Sequence, residues 1–418
     1  MKINLKLGMA VSCLFIAGCS SVKNVTSKDA AALKLEADEL HKTIISIDTH
    51  TDAPLNLMDK GFDIGRRHNA MEDHSKIDFP RMKEGGLDAV FFGAFVAQGP
   101  RTPEGNEKAK ERALKIIDTV HAVLERNKDM ASFAVNSTDA ARIKSEGRLA
   151  VYLGVENGYT IGQDLWMIKK YYDLGVRYIT LCHTKNNDLC DSSTDPDTVK
   201  YDGLSELGKK AVAEMNRLGM MIDVSHISDK AFYDVLKYSK TPVIASHSSA
   251  RALCESPRDM DDDMLKALAK NGGVVQICIL SDYLKTDPRN KTRDSVLSAF
   301  RQRYAGYDAM SEEERAKVRS ERAELDKKYP KILATVSDAV DHIDHIVKVC
   351  GIDFVGIGTD FDGGGELEDC YDVSQMKNIT VELLRRGYSH EDIGKIWGGN
   401  FFRVFRSVEQ YASQFGKK

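Results

Sequence analysis

Eight short apolar runs, each separated from the next by a longer stretch, constrain this chain more than any other feature. The runs are Ile44–Asp48, Ala89–Val96, Leu149–Val155, Tyr178–Cys182, Met220–Ser225, Val243–Ser246, Val274–Leu280 and Phe354–Thr359. Amphipathic helical patterns lie between them, over Glu107–Arg126, Leu165–Leu174, Leu204–Leu218, Asp229–Tyr238, Asp261–Lys270 and Thr335–Val349. Strand–helix alternation predicts a parallel sheet. Eight such units between Ile44 and Thr359 predict an α/β fold of the (β/α)8 barrel type. A doubly wound open sheet fits less well, because no Gly-x-Gly-x-x-Gly follows the first run. Three further helical stretches, 372–386, 389–397 and 400–415, complete the outer ring. One segment breaks the rhythm. Asp282–Pro330 is strongly charged, and reads as a solvated helical insert near 285–330 after the seventh strand.

Composition bounds the partners. The chain has 418 residues, 42% hydrophobic, enough for a large core in a single barrel over 41–418. A net charge of −4 with no basic run argues against a nucleic-acid partner. At the N-terminus, Lys2 and Lys6 precede the apolar run Leu7–Gly18, shorter than the roughly 20 residues of a spanning helix. This is the layout of a secretory signal. Its end, Ile16-Ala17-Gly18-Cys19, resembles the bacterial lipoprotein cleavage box. That resemblance implies a signal peptide over 1–18, lipidation of Cys19, and a tether over 19–40. Ser20 and Ser21 follow Cys19, with no acidic residue to retain the protein at the inner membrane. The expected location is the cell envelope, on the outer membrane and facing the periplasm. Beyond Cys13 and Cys19, six cysteines remain, and an exported protein could pair some of them. Their spacing gives no connectivity and no structural zinc knuckle.

The strand ends carry the chemistry. The runs finish in His50-Thr-Asp52, Val155-Glu156, Cys182-His183, Ser225-His226, Ser246-His247 and Thr359-Asp360-Phe-Asp362. In a (β/α)8 barrel the C-terminal edge of the strands is where active sites lie. One His at a strand end is usually structural, but six of eight strands ending in a metal-capable side chain is a ligand set. Residues two apart on an extended chain point the same way, so His50 and Asp52 can reach one ion. Imidazoles with carboxylates suit zinc, or manganese or cobalt. There are more ligands than one tetrahedral site needs. Two ions fit better, one on His50 and Asp52, the other on His226 and His247, with Glu156 as the bridge. Ions roughly 3.5–4 Å apart would share a hydroxide and polarise a carbonyl oxygen. That chemistry hydrolyses an amide, ester or phosphoester.

Together these motifs resemble the membrane dipeptidase (renal dipeptidase) family of zinc peptidases. The resemblance rests on Asp48-Thr-His50-Thr-Asp52, Gly154-Val-Glu156-Asn-Gly, Leu181-Cys-His183, Asp223-Val-Ser-His226, Ser246-His247-Ser-Ser-Ala-Arg251, Gly356-Ile-Gly-Thr-Asp360-Phe-Asp-Gly363 and Gly399-Asn-Phe-Phe-Arg-Val-Phe405. It runs from about Ser46 to about Phe405 and implies two zinc ions bridged by Glu156. It implies cleavage of dipeptides with a free C-terminal carboxylate, L,L and L,D, and dimerisation. His183 would contact the scissile carbonyl and stabilise the oxyanion. Arg251 would pair with the substrate carboxylate, and Asp360 would exchange protons with the hydroxide and the leaving amine. Read from the residues alone, Arg251 could instead pair with Glu255 or Asp259. On the same basis His183 could be structural, and Asp360 a third ligand. The insert near 285–330 departs from the family's common layout. The rival readings are another binuclear metal hydrolase (lactonase, phosphotriesterase or N-acyl amino-acid hydrolase) and a non-catalytic peptide-binding lipoprotein. Many such barrels use His-x-His and a carboxylated Lys, whereas this chain has His-x-Asp and Glu156.

Overall fold

Nine strands, all parallel, form one sheet in the computed structural model, which describes residues 30–59, 61–195, 200–304 and 310–415. They are β1 Ile47–Thr51, β2 Ala89–Phe95, β3 Ala131–Phe133, β4 Leu149–Glu156, β5 Val176–Thr180, β6 Met221–Asp223, β7 Ile244–Ser248, β8 Val274–Ile277 and β9 Val355–Ile357. The order β1-β2-β4-β5-β6-β7-β8-β9 is the eight-stranded barrel. Its ends meet through a Thr51–Phe361 bridge and the bonds Asp52 N–H to Phe361 O (2.8 Å) and Asp360 N–H to His50 O (3.0 Å).

Three sequence expectations shift. The first strand begins at Ile47, because Ile44 N–H still bonds the helical Leu40 carbonyl and Ser46 N–H bonds the Asp88 carboxylate. His50 therefore lies within the strand and not beyond it. The short β3 was not expected. It pairs with Leu149–Val151 of β4, on a part of that strand that β5 does not reach, since β4–β5 pairing begins at Leu153. The tether expected over 19–40 is helical from Ala30. Helix Ala30–Thr43 buries Leu33, Ala37, Leu40 and His41, and packs on helix Lys377–Arg385. The signal peptide and Cys19 lie outside the described residues. All six described cysteines are free thiols.

Side-chain alternation builds two cores. Along β4, Ala150 and Tyr152 point into the barrel, while Leu149, Val151, Leu153 and Val155 face the helices. The inner cluster includes Ile47, Ala89, Phe91, Tyr178, Met221, Ile244 and Val274. Phe401, Phe402 and Phe405 of helix Asn400–Ser413 stop it at the N-terminal end of the strands. The opposite end is left for the polar residues at the strand C-termini. The charged insert forms helices Lys291–Arg303 and Glu312–Lys328, tied by Arg293–Asp326 (2.8 Å) and Arg303–Glu321 (2.7 Å).

His41 carries a pH dependence. Its Nδ1–H bonds the Gly86 carbonyl (2.8 Å), and its Nε2 accepts from Thr380 (2.7 Å), whose hydroxyl in turn accepts from Trp397 Nε1–H (2.8 Å). Burial lowers its pKa from 6.5 to about 4, so the fold holds the neutral ring. Between those values only the unfolded chain takes up the proton. The stabilisation is therefore complete above pH 6.5 and is lost as pH falls toward 4. From pH 7 to pH 5 this amounts to about 2 kcal/mol. Urea unfolding at the two pH values is expected to show a smaller acid loss, by about that amount, in His41→Gln than in the parent. Equal losses would show that His41 is not the group responsible.

Candidate metal centre

Period-two alternation carries β4 from Ala150 and Tyr152 in the inner core through Gly154 to Glu156, which points into the barrel mouth. His50 rises on β1, which β2 separates from β4, with Asp52 just past its end, and His247 comes from β7. His226 follows β6 and Asp360 follows β9, both in the left-handed region, at φ 70° and 60°. Such backbone costs about 1–3 kcal/mol per residue and persists only where surroundings hold it. The His226 carbonyl accepts from Ser193 N–H (2.8 Å), and the Asp360 carbonyl from Gly365 N–H (2.7 Å).

Seven of the expected site residues converge. They form three overlapping groups: His50, Glu156 and His247; Glu156, His183 and His226; and His50, Asp52 and Asp360. Glu156 stands between them. Its Oε2 lies 3.5 Å from His50 Nε2, while Oε1 lies 3.1 Å from His226 Nε2 and 3.5 Å from His247 Nε2. His183 Nε2 is 3.8 Å from Oε1, and its ring packs on Phe95 and His226. It is the most exposed of these histidines, at 21% of its side chain.

The donor set fits cations. His226 Nε2 and His247 Nε2 face each other at 2.8 Å, though at most one can carry the shared proton. His50 Nε2 and Asp52 Oδ1 are buried without a hydrogen-bond partner. Electrostatics agree. Burial pushes His50 down, but Glu156, Asp52 and Asp360 outweigh it and raise it to about 10. Asp52 is raised by burial and by Glu156, and Asp360 by burial to about 7. Burial holds His226 and His247 well below the usual range. Three carboxylates thus crowd His50, which takes up a proton in place of a cation, while burial keeps His226 and His247 neutral.

Two glycines make room. A Cβ on Gly93 would stand 3.0 Å from His50 Cε1 and 3.4 Å from Asp52 Oδ1. A Cβ on Gly154 would stand 2.2 Å from the Tyr178 ring, which crosses the barrel to reach His50. Neither was expected from sequence.

Arg251 does not join the cluster. Asp229 takes its guanidinium through two bonds of 2.7 Å, and the Asp259 carbonyl takes Nε–H at 2.8 Å. Its partner is therefore neither Glu255 nor the Asp259 carboxylate. A second arginine of the same loop, Arg258, is buried over the site. It donates to the His247 carbonyl (3.1 Å), leaves its Nε unpaired, and its charge acts on His183, His226 and Asp360. Its position eleven residues after His247 is visible in the sequence, but its burial is not. His342 and His345, on helix Val336–Cys350, lie outside the mouth. His342 accepts from Ala250 N–H and faces the Leu284 carbonyl, and His345 pairs with Asp262.

Comparison with known proteins agrees. The membrane dipeptidase family (peptidase family M19) matches residues 35–418. Dipeptidase 3 of Homo sapiens is 31% identical over 389 residues, covering 90% of this chain and 68% of that protein. Dipeptidase tcpJ of Claviceps purpurea is 32% identical over 343 residues, covering 81% and 70%. Among solved structures, the probable dipeptidase PvdM from Pseudomonas aeruginosa superposes with a TM-score of 0.80 at 30% identity. It covers 91% of this chain and all of that one. With the barrel, the ligand-bearing strand ends and these relatives in agreement, the chain belongs to the membrane dipeptidase family and is a hydrolase of the metallo-dipeptidase type.

Proposed function

We propose that this centre holds two zinc ions bridged by Glu156 and hydrolyses dipeptides with a free C-terminal carboxylate, L,L and L,D. The observation that carries this reading is the division of Glu156, whose Oε2 faces His50 and whose Oε1 faces His226 and His247. His50 and Asp52 would hold one ion, and His226 and His247 the other. When bound, the ions lower the pKa of a water and polarise the scissile carbonyl. The remaining steps belong to side chains. His183, kept neutral by burial, has a ring N–H to offer the carbonyl oxygen as it gains charge. Asp360 lies beside the cluster, with Oδ1 3.9 Å from His50 Nε2, and would carry the proton to the leaving amine. Arg258, not Arg251, would bind the substrate carboxylate, because its fork is not taken by an acid. Upstream, export and lipidation at Cys19 would place the enzyme on the envelope. Radiolabelled palmitate incorporated by the parent and not by Cys19→Ala is the test.

Amino-acid release from a panel of L,L and L,D dipeptides, with C-terminal amides as controls, tests the reading. Release is expected from the free acids only, to vanish with chelator and to return with zinc. Hydrolysis of lactones or phosphotriesters with no release from dipeptides would keep the centre and reject the substrate.

A further inference from the structure

Metal-ligating imidazoles have two nitrogens, and the one turned away from the ion decides which tautomer is present. Behind this centre the away-facing nitrogens are not alike. His226 Nδ1 is buried with no partner, and the ring is held from its backbone. His247 Nδ1 lies 2.9 Å from Ser246 Oγ, and His50 Nδ1 lies 2.7 Å from the Tyr178 hydroxyl.

The direction of the His247 bond follows from Asp223. Its carboxylate, at the end of β6 and fully buried, receives Ser246 Oγ–H (2.6 Å), Ser246 N–H (2.8 Å), Ser225 N–H (3.1 Å) and Thr180 Oγ1–H (2.5 Å). A carboxylate offers no proton, so the single Ser246 proton goes to it. Ser246 Oγ is then an acceptor toward His247, which must present Nδ1–H and leave Nε2 unprotonated. His50 is held separately: its Nδ1 meets the Tyr178 hydroxyl directly, in the space that Gly154 leaves.

We propose that Asp223, acting through Ser246, is a positioning residue that sets the Nδ1–H tautomer of His247 and so turns its Nε2 lone pair onto the metal position it would share with His226. The inference rests on the two-ion reading above. That carboxylate would thereby tune one ligand of this ion, while the other, His226, is held from its strained backbone and by the rings beside it.

The test is metal affinity of the apo-protein, by chelator competition with zinc and by the absorption of bound cobalt. Ser246→Ala is expected to weaken the ion on His226 and His247 by about 10–100-fold and to leave the ion on His50 and Asp52 unchanged, at an unchanged apo melting temperature. Asp223→Asn is expected to do the same, because an amide N–H facing Ser246 reverses the chain. A general loss of packing would not spare one ion, so this selectivity separates positioning from structure. Parental affinity for both ions in Ser246→Ala, or an equal loss of both, would overturn the proposal while leaving the two-ion reading standing. A parent that binds fewer than two ions would overturn both.

Discussion

Glu156→Gln is expected to lower kcat/KM for a free-acid dipeptide by at least about 10³-fold, or about 4 kcal/mol in the barrier. The substitution keeps the shape and removes the charge. One end of the amide becomes an N–H donor, which turns a proton either on His50 or on His226 and His247, where a lone pair is needed. Zinc content is expected to drop from two ions to one or none, read by elemental analysis after gel filtration. The metal-free variant should fold, since the amide keeps the shape and relieves the repulsion that Glu156 exerts on Asp52 and Asp360. A variant with two ions and activity within tenfold of the parent would remove Glu156 from the bridge.

Arg258→Met is expected to cost about 3–4 kcal/mol in kcat/KM, or ~10²–10³-fold, on the free acid. The amide is expected to remain as poor as before, so discrimination between acid and amide collapses. Arg251→Met is expected to change kcat/KM by less than about threefold. Its pair with Asp229 sits at the surface, with Asp229 47% exposed, and such pairs are worth little. Kinetics of both variants on one dipeptide and its amide decide the matter. A large loss in Arg251→Met with none in Arg258→Met would return the carboxylate to Arg251.

The two arginines show where sequence reading stops. Both lie in the loop after β7, seven residues apart. Nothing local says that Asp229, on another helix, captures one and leaves the other buried over the metal ligands. The first strand is similar. Its apolar run was plain, but its start was moved by contacts with Leu40 and Asp88. Tyr178 and Gly154 read as ordinary strand residues until the barrel closes and sets one against the other.

The strand ends, by contrast, were legible. An apolar run must be buried, a barrel leaves only its C-terminal edge for polar chemistry, and period-two alternation sends every second residue inward. These local rules sufficed to choose His50, Asp52, Glu156, His183, His226, His247 and Asp360. They also distinguished strand from helix for most of the chain. What tertiary structure alone decided was pairing between elements distant in sequence: the two faces of Glu156, the partner of each arginine, the docking of helix Ala30–Thr43, and the hydrogen-bond chain from Asp223 through Ser246 to His247. The physical reason is that hydrogen-bond direction, burial and charge depend on which side chains meet across the barrel, and that is settled only when the strands close on one another.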